Sequence, residues 1–94
     1  MAEPQMEEAG RVTGFFAHPS VAIVELSQPL KLGDTVYLKG HTTDFQQVVE
    51  SMEVDHQCVQ EAVRGQAVGL KVQQRCRRND LVFRLVVERK GDHK

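Results

Sequence analysis

Apolar and polar side chains alternate along Thr35-Val36-Tyr37-Leu38-Lys39, the period-two pattern of a strand with one buried face. Val36 and Leu38 point toward a core, whereas Thr35, Tyr37 and Lys39 point away from it. Gly33-Asp34 reads as the turn before this strand, and Gly40 as its end, ahead of the polar loop His41-Thr42-Thr43-Asp44. Further runs rich in β-branched, aromatic or alternating residues cover about 10–17, 21–26, 45–55, 67–72 and 81–87. His18-Pro19-Ser20, Ser27-Gln28-Pro29 and the arginine-rich stretch 73–80 break the chain between them. In the first run, Val12, Gly14 and Phe16 form the expected inward set, which leaves Phe15 outside. Within 45–55 the inward set slips from Val49 to Met52 and Val54. A one-residue slip turns side chains to the wrong face, so a β-bulge is predicted near Glu50-Ser51. Val59 to Arg64 is the one helix candidate; without a cap it is too short, and an extended connection or single turn is expected. The predicted fold is all-β: a single six-stranded antiparallel β-barrel of Greek-key type at 10–87. A disordered acidic tail at 1–9 would precede it and a charged tail at 88–94 would follow.

Composition narrows the class. Ninety-four residues, 40% hydrophobic and 27% charged, suit one ordinary globular domain. No apolar run approaches the roughly 18 residues that a membrane-spanning helix needs, so no membrane role is expected. The first ten residues are acidic and carry no apolar export segment. A cytoplasmic setting is therefore expected, with Cys58 and Cys76 as free thiols. Net charge is −1, but Glu3, Glu7 and Glu8 all lie in the first nine residues. The body then holds 12 bases against 10 acids, which excludes an arginine-rich nucleic-acid binder but leaves room for a local patch.

Such a patch is predicted at Arg75, Arg77 and Arg78 with Lys71 nearby, because guanidinium forks match phosphate oxygens. Aromatics are few, so reading of bases by stacking is not expected. The loop His41-Thr42-Thr43-Asp44 is the second candidate contact surface, with His41 as a donor or base oriented by Asp44. Ordinary turn chemistry, in which Thr and Asp side chains bond loop N–H groups, competes with that reading. Phe15, facing out near Tyr37, is the candidate protein-docking patch. His56, Cys58 and Cys76 lack the paired C-x₂₋₄-C spacing of structural zinc, and no metal is predicted. Glu50, Glu53, Asp55 and Glu61 read as outward positions that pair with bases, not as acid–base carboxylates. There is no G-x-x-x-x-G-K-[ST] motif, so neither nucleotide hydrolysis nor a cofactor is expected, and an enzyme is not predicted.

Four motifs occur in order: Gly10-Arg11-Val12, Leu30 to Val36 (LKLGDTV), Val49 to Val54 (VESMEV) and Gly65 to Leu70 (GQAVGL). Together they resemble the second domain of translational GTPases such as elongation factor Tu and initiation factor two, a six-stranded barrel. The resemblance covers about residues 10–87. Lys39 to Phe45 (KGHTTDF) further resembles small translation-factor-like barrel proteins. It is also similar to the barrel appended to collagenase-like peptidase relatives, several of them linked to RNA hydroxylation. In the translational GTPases this domain helps to hold the aminoacyl end of tRNA. Glu53 matches a glutamate of that site, whereas Asp55 stands where a phenylalanine would be and Ala67 where an asparagine would be. The resemblance thus carries the barrel and not the aminoacyl pocket. It implies a non-catalytic binding module in translation or RNA modification, with RNA, the ribosome or a partner enzyme as its contact. The alternative is a protein-only accessory subunit for a peptidase-like enzyme.

Overall fold

The structure, a computed structural model, describes residues 5–86, and every strand pairing in it is antiparallel, with no helix among those residues. The strands are β1 (Gln5–Phe16), β2 (Val21–Leu26), β3 (Leu30–Lys31), β4 (Thr35–Lys39), β5 (Asp44–Val48), β6 (Met52–Val54), β7 (Gln57–Cys58), β8 (Glu61–Ala62), β9 (Ala67–Lys71) and β10 (Leu81–Val86). Eight of them form one sheet in the order β5-β4-β10-β1-β2-β9-β6-β7, and β3 pairs with β8. The all-β, antiparallel expectation holds, and in place of six strands the described residues form ten. β3, β7 and β8 span two residues each, too few to show a period of two. No ladder joins the end strands β5 and β7.

The β5 edge is fastened by a side chain instead. Gln47 is buried, its Nε2–H donates to the Lys71 carbonyl at 2.8 Å, and its Oε1 accepts from the Gln73 N–H at 2.8 Å. Val12, Val24, Val36, Leu38, Val68, Leu70 and Val82 are fully buried inside the curved sheet. Each such side chain contributes about 1.5–3 kcal/mol relative to leaving it in water.

Three expectations fail for local reasons. The acidic tail was expected at 1–9, but residues 5–9 are strand, with Gln5 opposite Val86 and Glu7 opposite Arg84. Ala9 is fully buried, and its carbonyl accepts from the Ser27 N–H at 2.7 Å. Local charge does not prevent a strand where an apolar one, β10, is available to pair with it. Residues 1–4 and the charged tail at 88–94 lie outside the described residues.

The bulges also fall elsewhere. Register shifts occur in β1, between Glu8 and Gly10 against β10 and between Val12 and Gly14 against β2. The second shift reverses the expected faces: Phe15 packs against the core, and Phe16 is 60% exposed. At Glu50-Ser51 there is no bulge within one strand; the strand ends. Val49 instead exchanges bonds with the turn before β4, donating to the Asp34 carbonyl at 2.8 Å and accepting from the Gly33 N–H at 2.9 Å. The chain then joins a different neighbour, β9. The slip from Val49 to Met52 is real, since both are buried, and it marks that change of partner.

Candidate functional site

At one end of the sheet the loop between β4 and β5 meets the loop between β9 and β10, and a buried carboxylate joins them. Asp80 is 4% exposed; its Oδ2 accepts from the Thr43 hydroxyl at 2.5 Å and from the Arg77 N–H at 2.8 Å. Gly40 leaves room for it, because a Cβ there would collide with Asp80 Oδ1. The Asp80 N–H donates to the Arg77 carbonyl at 3.0 Å, closing a turn in which Asn79 takes φ 76°. Asparagine tolerates that left-handed conformation better than most residues. Backbone bonds between Val12 and Asn79-Asp80 at 2.7 and 2.8 Å hold the turn against β1.

This lattice orients two of the predicted arginines. Arg77 donates through Nε to Thr42 Oγ1 at 3.0 Å, and Arg78 donates through Nε to the Thr13 carbonyl at 3.1 Å. Both residues are exposed, as is Arg75, and among the described residues the Nη groups of all three make no hydrogen bond or ion pair. Arg77 and Thr42 thus meet at the surface, with His41 next to Thr42 in one loop and Arg75 and Arg78 in the loop that carries Arg77. Thr43 is 3% exposed and its hydroxyl bonds Asp80 of the other loop, not an N–H of its own loop as ordinary turn chemistry would have it.

Other predicted residues sit elsewhere. Lys71 ends β9 opposite Val21, in the alternate set with Gly69 and Ala67, on the outer sheet face. Asp44 does not orient His41: it accepts from the Tyr37 hydroxyl at 2.5 Å, which raises the phenol above its ordinary pKa. Phe15 and Tyr37 are not neighbours, because β10 separates β1 from β4 and Phe15 turns inward. Tyr37 packs instead against Phe83, with ring centroids 6.4 Å apart. Cys58 is exposed on β7, while Cys76 is buried, and burial together with the Asp80 carboxylate pushes its thiol up to about 12. No cluster of three or more His, Cys, Asp or Glu suited to a metal occurs among the described residues. Glu53, Asp55 and Ala67 do converge, on a separate groove of about 520 Å³ that Phe16 also lines. Sequence reasoning missed Asp80 and Gly40, because nothing in Asn79-Asp80 signals a partner 37 residues away.

Similarity to known proteins rests on this frame. Two crystal structures of the C-terminal domain of a Geobacillus thermoleovorans U32 peptidase family protein superpose on the chain. One, a selenomethionine variant, matches with a TM-score of 0.77 at 25% identity, over 81% of this chain and 96% of that domain. The other matches with a TM-score of 0.78 at 25% identity, over 83% and 91%. The fold is that of a U32 peptidase C-terminal domain. An uncharacterized protease of Methanocaldococcus jannaschii is 42% identical over 79 residues. Those residues make up 83% of this chain but only 19% of that relative's length. No family model matches the chain. Among the described residues no helix is long and apolar enough to cross a membrane.

Proposed function

We propose that this domain is a binding module that presents a preorganised basic surface to the phosphates of RNA, in association with a U32-peptidase-like enzyme. The observation that carries the reading is the Nε anchoring of Arg77 and Arg78, which leaves both guanidinium edges directed at solvent. A guanidinium held in place loses less freedom when it binds a phosphate, and its Nη groups match two phosphate oxygens at once. The domain's part is recognition, not catalysis: Asp80 is committed to Thr43 and Arg77, and Asp44 to Tyr37. Protease activity belongs by name to a relative of which this chain spans 19%, and the RNA-binding role proposed here stands apart from it.

Anisotropy of a labelled single-stranded RNA, titrated at several salt concentrations, tests this. Each neutralised phosphate contributes about 0.7 to the log–log salt slope on single strands. Arg75/Arg77/Arg78→Ala is expected to reduce that slope by about 2 and to weaken binding at every sequence alike. An unchanged slope in the triple variant rules the loop out as the RNA site.

A second reading, a protein-docking accessory domain, is favoured by β10 itself. Within Leu81-Val82-Phe83-Arg84-Leu85, Val82 is fully buried inside, while Leu81, Phe83 and Leu85 form an apolar outer face that remains partly exposed. Met6 lies opposite Leu85, and Tyr37 opposite Phe83, widening that outer face. A strand buried on one side normally alternates with polar residues, so this pattern suits coverage by a larger peptidase-like body. Phe83→Lys is expected to abolish such an association and to leave RNA affinity unchanged, as measured by co-purification and by the same anisotropy titration.

A further inference from the structure

The β6–β7 hairpin stands beside the outer faces of β9 and β2, and the groove of about 520 Å³ runs between this hairpin and Phe16. Across it the register aligns Ile23 with Gly69 and Gly69 with Glu53. A Cβ on Gly69 would approach Val21 Cγ1 at 3.4 Å, an ordinary contact, so packing does not demand glycine at this position. The missing side chain is what leaves the floor open. Val21 and Ile23 make the floor apolar, and Phe16, 60% exposed, supplies an aromatic wall that the core does not use. Glu53 and Asp55 line the groove from the hairpin, and among the described residues neither carboxylate has a hydrogen-bond or ion-pair partner. Asp55 and His56, at φ 52° and 64°, form the two-residue turn between the paired residues Val54 and Gln57, which sets the position of that rim.

We propose that this groove docks a basic segment of a protein partner. The aliphatic stem of a lysine or arginine would lie over Phe16 and Ile23, with its cation between Glu53 and Asp55. Long basic side chains suit such a site because an apolar stem carries a charged head. An exposed phenyl face also attracts a cation. The argument for this occupant is charge complementarity. Glu53 and Asp55 repel a phosphodiester and, although His18 and His56 also line the groove, no lysine or arginine does so among the described residues, so this face does not serve RNA.

The probes are a labelled Lys-Leu alternating peptide, its Glu-Leu counterpart and a short single-stranded RNA, each titrated into the full chain and followed by amide NMR shifts. The basic peptide is expected to move the amides of Phe16, Ile23, Gly69 and Glu53, and to bind at least about tenfold tighter than the acidic one. Glu53→Gln with Asp55→Asn keeps shape and turn, since asparagine accepts positive φ, and is expected to remove most of that preference. Gly69→Val fills the floor and is expected to block the peptide while leaving RNA binding at the loop intact. Equal binding of the two peptides, full affinity in the double variant, or RNA shifts at these same amides would each overturn the proposal.

Discussion

Asp80 ties together two loops that lie 37 residues apart in sequence, through an oxygen that accepts from both Thr43 and Arg77. Replacing it with alanine strands a hydroxyl and an N–H at a buried position. Asp80→Ala is therefore expected to cost about 2–3 kcal/mol in urea unfolding and to weaken RNA binding as well. Gly40→Ala attacks the same joint from the other side by pushing a methyl into the carboxylate, at an expected cost of about 1–3 kcal/mol. Beside them, Cys76 is a thiol held in its neutral form by burial and by Asp80, with its pKa pushed up to about 12. The unfolded chain loses that proton first as pH rises. The contribution is thus fully present below about pH 9 and fades toward pH 12, so thermal stability is expected to fall across that window. Cys76→Ser, whose hydroxyl does not ionise in this range, should flatten the decline. A thiol reagent at pH 8 is expected to modify Cys58 promptly and Cys76 only after unfolding, because only Cys58 is exposed.

Among the elements, β1 departs furthest from what its sequence suggests. Its first half pairs with β10 over Gln5 to Glu8, and Glu7 reaches Arg84 at 3.7 Å. Deleting residues 1–9 is expected to destabilise the domain and to promote aggregation through the uncovered β10 edge, both measurable by urea melts and light scattering. Gln47→Leu removes both bonds that fasten β5 near β9 and is expected to accelerate hydrogen exchange at Gln73 first. The runs of β2, β4 and β9 were legible because each buries alternate residues along its length, and that of β10 because it is apolar at every position but Arg84. β3, β7 and β8 were not, since two residues carry no period. The faces of Phe15 and Phe16 were misread for another reason: a bulge is set by the partner strand, which local pattern does not describe. Of the candidate site, the arginines and the 41–44 loop were legible as residue types. Their meeting was not, because it depends on the topology that brings β10 beside β4.

For the whole molecule, a net charge of −1 conceals a separation of sign. Exposed arginines gather at the joined loops, and unpaired carboxylates gather at the groove beside Phe16. A near-neutral protein built this way can engage partners of opposite charge on different faces. The pairing of Gln5 with Val86 has a consequence of another kind. Entry to and exit from the fold lie side by side, about 5 Å apart as antiparallel partners do. A unit with adjoining ends can be spliced into a surface loop, or appended to either end of another polypeptide, without stretching its host. That portability suits a fold also found as the C-terminal domain of a U32 peptidase family protein. It also means that the last strand must be synthesised before the first can complete its pairing, so the domain locks only when its whole length has been made.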